Sequence, residues 1–297
     1  MTKTSDRPAG RGSVDAVVRE FYTDVPFPGT LNAYGPWRDQ APRLLTGLGL
    51  DPEAARGASV LDAGCGTGEY ARSFANLGAR VTAMDITEAS LQRARQIDRD
   101  LGLDGIEYVN ADLFELPEGD RFDIVLSLGV LHHTYDPARA FRAVAQRVVA
   151  GGFLIVGLYD PISRWPVRCS RGLINVLSQG NTERGITIAR RCFRPLIRRY
   201  LGPVSAQQRQ RVADLLIHPH EKPVRVNTVL DWYRKQGFAI VGSNPSFDPR
   251  DYTAIRAVSG LLPRHLAHLL VELRWATPPW FADYYVAAGR RVREPRS

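Results

Sequence analysis

The sequence predicts a doubly wound, mostly parallel α/β sheet, on three observations. Short apolar strands alternate with helix-compatible stretches from residue 59 to residue 158. One of those strands, 122–128 (FDIVLSL), is almost continuously apolar, as a parallel strand covered on both faces must be. Residues 59–70, SVLDAGCGTGEY, place a strand, a tight glycine turn and a helix start in direct succession. Glycine has no Cβ and tolerates positive φ, so such a turn lets backbone approach a ligand closely.

Each element follows from its local pattern. Residues 14–22 (VDAVVREFY) have helical apolar spacing and lead into a turn-rich aromatic loop at 23–29. A second helix is expected over 36–50, weakened by Pro42. The strand 80–84 ends at Asp85, and Thr87 is placed to cap a helix through about Arg99. A strand at 106–110 precedes Asp112. Pro137 opens a helix expected to run to Val149, and Gly151-Gly152 then turn the chain into a strand at 153–158. The alternation breaks at 160–220, which is helical, rich in arginine and too long for a connecting loop. It resumes with a helix at 226–236 and a strand at 238–243. A second insertion, with a helix at 267–275, precedes a closing strand at 282–288 that is expected to be antiparallel. The expected division is an N-terminal helical cap at 1–50, an α/β core at 51–160, a helical insertion at 161–222 and the rest of the core at 223–297, interrupted at about 244–280.

Composition bounds the function. The 297 residues contain no apolar run long enough to span a bilayer, and the polar start MTKTSDRPAGRGS does not read as a signal peptide. Cys65, Cys169 and Cys192 show neither disulfide nor metal spacing, which fits a reducing, cytoplasmic setting. The net charge of +8 invites a nucleic-acid reading. The excess is nearly all arginine, however, a bias that codon usage also produces, so nucleic acid is the weaker expectation.

The glycine turn is not a dinucleotide fingerprint, because the place of the third glycine is taken by Glu69. A carboxylate there disfavours a pyrophosphate and suits a ligand with a cationic centre. Asp85, at a strand end just over twenty residues on, is placed to accept ribose hydroxyls. Asp112 is placed to hold the exocyclic amine of a base, with Leu113 as an apolar wall. The fourth strand carries Ser127, Leu128 and Gly129 to the carboxyl edge of the sheet, where open α/β folds bind ligands. Together these residues describe a nucleoside site.

VLDAGCGTGEY, VTAMDI, NADLFELP and FDIVLSLGVLHHTYDP, in that order, resemble the motifs of class I S-adenosylmethionine-dependent methyltransferases, especially the small-molecule type 11/12 group. The resemblance covers 59–158 strongly and 226–289 loosely. It implies a seven-stranded sheet and S-adenosylmethionine as cofactor, with S-adenosylhomocysteine as product. By the same resemblance Asp62, Gly64, Cys65 and Gly66 adjoin the methionine part, Asp85 and Ile86 the ribose, and Asp112 and Leu113 the adenine. Leu128 or Gly129 adjoins the methionine backbone. Cys65 also reads simply as a small packing residue of the turn.

The acceptor side is less legible. His132 and His133 follow the fourth strand and are candidate general bases, His133 preferred; packing in the loop is the alternative. His218-Pro219-His220-Glu221 suggests a metal only weakly, and a residue entering the acceptor pocket is the better reading. The arginine-rich stretch 184–200 is a solvated helix, a surface for an acidic or membrane-associated acceptor, or a nucleic-acid track. Trp275, Trp280 and Phe281 are core residues or a pocket wall. Phe21, Tyr22 and Phe27 are placed to close over the cofactor as a flap, with Tyr22 touching it. The expected function is methyl transfer to an O, N or C atom of a small organic acceptor of the secondary-metabolite kind. An RNA methyltransferase and a cofactor-binding protein with non-methylating chemistry are the alternatives. No metal is expected, peripheral membrane contact stays open, and oligomeric state is not readable.

Overall fold

The computed structural model describes residues 11–24, 36–115, 119–201, 209–277 and 282–293. Its seven strands are β1 (Ser59–Ala63), β2 (Arg80–Asp85), β3 (Ile106–Asn110), β4 (Phe122–Leu128), β5 (Val148–Tyr159), β6 (Phe238–Asn244) and β7 (Tyr284–Arg291). They form one sheet in the order β3-β2-β1-β4-β5-β7-β6. β1 pairs in parallel with β2 and β4, while β7 runs antiparallel between β5 and β6. The order reverses at β1, so the carboxyl ends of β1 and β4 diverge into a crevice.

The apolar run of β4 now has its reason. Ile124 and Leu126 join Val60 and Val81 in one core, and Val125 joins Leu61 and Leu154 in the core on the opposite face. The helices α2 (Gln40–Gly47), α3 (Glu69–Asn76), α4 (Glu88–Leu101), α5 (Pro137–Ala145) and α10 (Val226–Lys235) complete the layers. Pro42 does not break α2. It falls in the first turn, where a missing N–H costs nothing.

One expectation is corrected here. α5 ends at Ala145, short of Val149, and Gly151-Gly152 lie inside β5 instead of preceding it. The pairing jumps from Phe122↔Val148 to Ile124↔Phe153, so residues 149–152 bulge out and the glycines absorb the extra length.

Four helices follow β5: α6 (Trp165–Ser178), α7 (Thr182–Cys192), α8 (Arg194–Leu201) and α9 (Arg209–Leu216). They enclose a small core of their own, built from Val167, Ile174, Ala189, Ile197, Val212 and Leu216. The N-terminal helix α1 (Arg11–Asp24) packs Phe21 against Ile186 and Ala213 of this group. After β6 come α11 (Thr253–Ser259) and α12 (Arg264–Trp275). Trp275 is wholly buried; its Nε1–H donates to the Tyr252 hydroxyl at 2.8 Å and its ring packs on Phe247 and Tyr285. It is a core residue and not a pocket wall. Phe27, Trp280 and Phe281 lie outside the described residues.

α12 is pinned to α10 by Glu272, whose fully buried carboxylate accepts the Val226 N–H at 2.8 Å and pairs with Arg225. Glu272→Ala leaves that N–H unpaired in the interior and should lower the unfolding free energy by about 2–4 kcal/mol. Arg225→Ala should cost clearly less, because the Arg225 side chain is 42% exposed. Urea titration of both variants checks the order, and equal losses would show that the ion pair, not the capped N–H, is what matters.

Candidate active site

The site begins where β1 ends. The Gly64 and Cys65 N–H groups both donate to the Met84 carbonyl at 2.8 Å, which folds the turn against the end of β2. Gly64 has φ +86°, and a Cβ there would stand 2.4 Å from Val130 Cγ2, so no other residue fits. Gly68, at φ +77°, starts α3 with Glu69 in its first turn. Behind the turn the buried Arg72 guanidinium donates to the Thr67 carbonyl at 2.7 Å and to Asp98 at 2.9 Å, tying the turn to α4.

Asp85 has a duty that its sequence context did not reveal. Its carboxylate accepts the Gly66 N–H at 2.9 Å and the Thr87 N–H at 2.8 Å, so it clamps the glycine turn to β2. Burial raises its pKa, and the two N–H groups oppose that shift. Asp62 lies deeper, 4% exposed, and is pushed up to about 7 by burial and then by the charge of Asp85. Asp112 accepts the Phe114 N–H at 2.8 Å, forming its own turn after β3. Burial pushes the Cys65 thiol well up, which fits packing and not nucleophilic attack.

These groups share one cavity of about 520 Å³. It is lined by twelve of the thirteen residues expected from sequence: Tyr22, Asp62, Gly64, Cys65, Gly66, Asp85, Ile86, Asp112, Leu113, Leu128, Gly129 and His133. His132 is the exception and is a correction. It is fully buried outside the cavity, its ring set against Tyr159 and His133 at centroid distances of 4.5 and 4.2 Å. Residues 131–133 form a 3₁₀ turn, which sends the two rings in different directions. Ser127 is also withdrawn, its hydroxyl donating to the Ala63 carbonyl.

The opposite wall was missed by sequence reasoning. Tyr159 and Arg164 come from the end of β5 and the start of α6, Tyr200 from α8, Arg211 and Asp214 from α9, and Asp283 and Tyr284 from the start of β7. No motif marks them; Arg164, Tyr200, Arg211 and Asp214 lie in the first insertion, and the others at the ends of β5 and β7 carried no signal. His133 Nδ1 lies 2.8 Å from the His220 carbonyl, and His133, Asp214 and His218 each offer a ligand-type atom within 4.8 Å of the others. The His-Pro-His-Glu segment does not itself converge. His220 Nε2 faces the Thr134 carbonyl, and Glu221 pairs with Arg164 and Arg171.

The fold and the glycine turn agree with known proteins. A family model described as a methyltransferase domain matches residues 61–156. An uncharacterized protein of Synechococcus sp. is 31% identical over 260 residues, covering 80% of this chain and 61% of the relative. The ubiquinone biosynthesis O-methyltransferase of Alkalilimnicola ehrlichii is 40% identical over 101 residues, covering 33% of this chain and 40% of the enzyme. The chain thus spans less than two thirds of the length of these curated relatives. The solved 1,6-didemethyltoxoflavin-N1-methyltransferase of Burkholderia thailandensis superposes with a TM-score of 0.54 at 16% identity, covering 98% of this chain and 94% of that one. Residues 61–156 are therefore a methyltransferase domain. The sheet around them has the seven-stranded order of the methyltransferase fold, which the Burkholderia enzyme shares.

The raised pKa of Asp62 carries a stability consequence. The folded chain holds the proton up to about pH 7 against a usual 3.8, so ionised Asp62 costs stability increasingly as pH rises through that window. Asp62→Asn keeps an oxygen for the backbone N–H and removes the charge. Its melting temperature should exceed that of the parent above pH 7 and converge on it as pH falls toward 3.8. A difference independent of pH would contradict the assignment.

Proposed function

We propose that this chain transfers a methyl group from S-adenosylmethionine to a small organic acceptor, leaving S-adenosylhomocysteine. The observation that carries the reading is the single cavity whose one wall is the strand-end turn and whose other wall is the helical insertion. On the first wall, Asp62, Gly64, Cys65 and Gly66 would flank the methionine part, Asp85 and Ile86 the ribose, Asp112 and Leu113 the adenine, and Leu128 or Gly129 the methionine backbone. The donor set fits such a ligand. The carboxylates favour a sulfonium, and an added Cβ at Gly66 or Gly129 would meet nothing within 4 Å, so the backbone there stands open. Tyr22 of α1 would close the cavity from above.

On this reading 161–222 is an acceptor lid and 1–50 a cap, with the core at 51–160 and 223–297. A cavity walled by Tyr159, Tyr200 and Tyr284 suits a compact, partly aromatic acceptor. A nucleic-acid track is less well supported. Arg191, Arg194, Arg198 and Arg199 are exposed and none of them lines the cavity. Among the described residues no helix is long and apolar enough to cross a membrane, in keeping with a cytoplasmic enzyme.

The clamp made by Asp85 decides which variant tests it. Asp85→Ala would release the Gly66 turn as well as any ribose contact. Asp85→Asn keeps the volume and one of the two backbone acceptors while losing the charge, and it should weaken S-adenosylmethionine binding by about 1.5–3 kcal/mol, the value of hydrogen bonds to a charged group. Isothermal calorimetry reads this directly, and an unchanged affinity would remove Asp85 from the cofactor site.

A further inference from the structure

Three titratable side chains gather where the insertion meets the turn after β4. His133 stands on the turn after β4, Asp214 on α9 and His218 on the loop after α9. His133 and Asp214 line the cavity; His218 lies behind them, its ring 3.8 Å from that of His133 at an interplanar angle of 36°.

The peptide of His220 fixes the proton on both rings. Its carbonyl lies 2.8 Å from His133 Nδ1, so Nδ1 carries the hydrogen and Nε2 keeps the lone pair. Its N–H donates to His218 Nδ1 at 3.2 Å, so His218 must carry its hydrogen on Nε2. That Nε2 is buried and without a hydrogen-bond partner. One peptide thus sets two neighbouring imidazoles in opposite tautomers. A metal ion does not suit the trio, because a ligating histidine donates through its second nitrogen and His218 accepts there.

We propose that His133 and Asp214 are a general-base dyad, and that the acceptor carries an acidic hydroxyl, a phenol or an enol. This rests on the methyltransferase reading. The acceptor oxygen forms its bond to the methyl carbon while the carbon–sulfur pair returns to sulfur, and the hydroxyl proton passes to His133 Nε2. The imidazolium so formed keeps Nδ1–H on the His220 carbonyl and presents Nε2–H to Asp214, whose carboxylate balances the charge. The proton leaves to solvent after product release. An amine attacks through a free lone pair and needs no base in that step.

Asp214 is held for this duty. The Tyr22 hydroxyl donates to its Oδ1 at 3.1 Å, and Arg171 binds the main-chain carbonyls of Asp214 and Leu215 at 2.7 and 2.8 Å, fixing the end of α9. His218 is a positioning residue that supports the His133 ring. The other charged or titratable groups facing His133 are His132 on its own turn, Glu221 on the loop and Arg171 on α6. Burial wins over Asp214 and Glu221 and holds His133 below the usual 6.5, so the base is neutral and ready at neutral pH. Its acid limb therefore lies below that value.

Two measurements test the dyad and the acceptor separately. Long-range proton–nitrogen spectra of the ¹⁵N-histidine-labelled protein read tautomers and titrations without any cofactor. His133 should show hydrogen on Nδ1, and Asp214→Asn should lower its pKa by about one unit, a tenfold change in protonation. His220→Ala keeps the peptide, so both tautomers should survive it. Hydrogen on His133 Nε2, or a titration unmoved by Asp214→Asn, overturns the dyad. For the acceptor, the protein is given methyl-labelled S-adenosylmethionine with catechol or with o-phenylenediamine. Label should appear on catechol oxygen, and His133→Gln and Asp214→Asn should each lower kcat about 10²-fold. Label on the diamine, or on neither compound, overturns the hydroxyl assignment. Calorimetric binding of S-adenosylmethionine to the unaltered protein judges the methyltransferase reading independently.

Discussion

The placement of the second cavity wall depends on one buried ion-pair cluster. Arg164, 1% exposed, pairs with Glu221 at 3.1 Å and with Asp283 at 2.5 Å, and its guanidinium lies 3.6 Å over the Tyr159 ring. Four segments that no secondary structure joins meet at that side chain: the end of β5, the start of α6, the loop before α10 and the approach to β7. Removing one partner of such a group strands a buried charge at a cost of about 3–5 kcal/mol, so the cluster acts as a register pin. Arg171 extends it by pairing with Glu221 at 2.9 Å while holding the last carbonyls of α9. The position of Asp214 follows from that of Arg171, and the position of His218 and His220 from that of Glu221.

The loop between α9 and α10 is held at its other end by main chain. The Lys222 N–H donates to the His132 carbonyl at 2.7 Å and the Val224 N–H to the Tyr159 carbonyl at 2.9 Å. These bonds run to the strand-end segments of β4 and β5, so the loop is as fixed as the sheet itself. This explains why a fully buried His132 is tolerated. Burial lowers its pKa well below the usual value, leaving it neutral, and its carbonyl serves the loop while its ring fills space beside Tyr159. His133, one residue on, has the opposite task because the 3₁₀ turn rotates its ring toward the cavity.

The sheet core and the first cavity wall were legible because their signals are local. A glycine turn between a strand and a helix, a carboxylate at each strand end and a continuous apolar strand each state their geometry within about ten residues. Gly64 illustrates it: a glycine in a turn between strand and helix announces the backbone freedom that its φ of +86° uses. The second wall was illegible because its geometry is non-local. Asp214 meets His133 across some eighty residues of chain through Arg171, Glu221 and a carbonyl, and no spacing encodes that. Sequence already favours His133 over His132 by strand-like alternation, but the residues form a 3₁₀ turn and not a continuation of the strand. Gly151-Gly152 misled for a related reason, because a glycine pair marks a bulge inside a strand as readily as a turn before one.

The two walls also differ in what holds them, and this bears on how such a site changes. The strand-end carboxylates Asp85 and Asp112 accept main-chain N–H groups, Asp85 from the glycine turn and Asp112 from its own turn, so their positions are set by backbone and tolerate changes elsewhere. The groups of the second wall are set by side chains, namely Arg164, Arg171 and Glu221 of the insertion and Tyr22 of α1. A substitution among these re-aims that wall without touching the glycine turn. The His220 peptide sits between the two regimes: it is backbone, so its N–H and C=O are indifferent to the residue type at 220, yet it is positioned by the side chain of Glu221. Proton placement on His133 and His218 is therefore insulated from sequence change at that position and exposed to change at its neighbour.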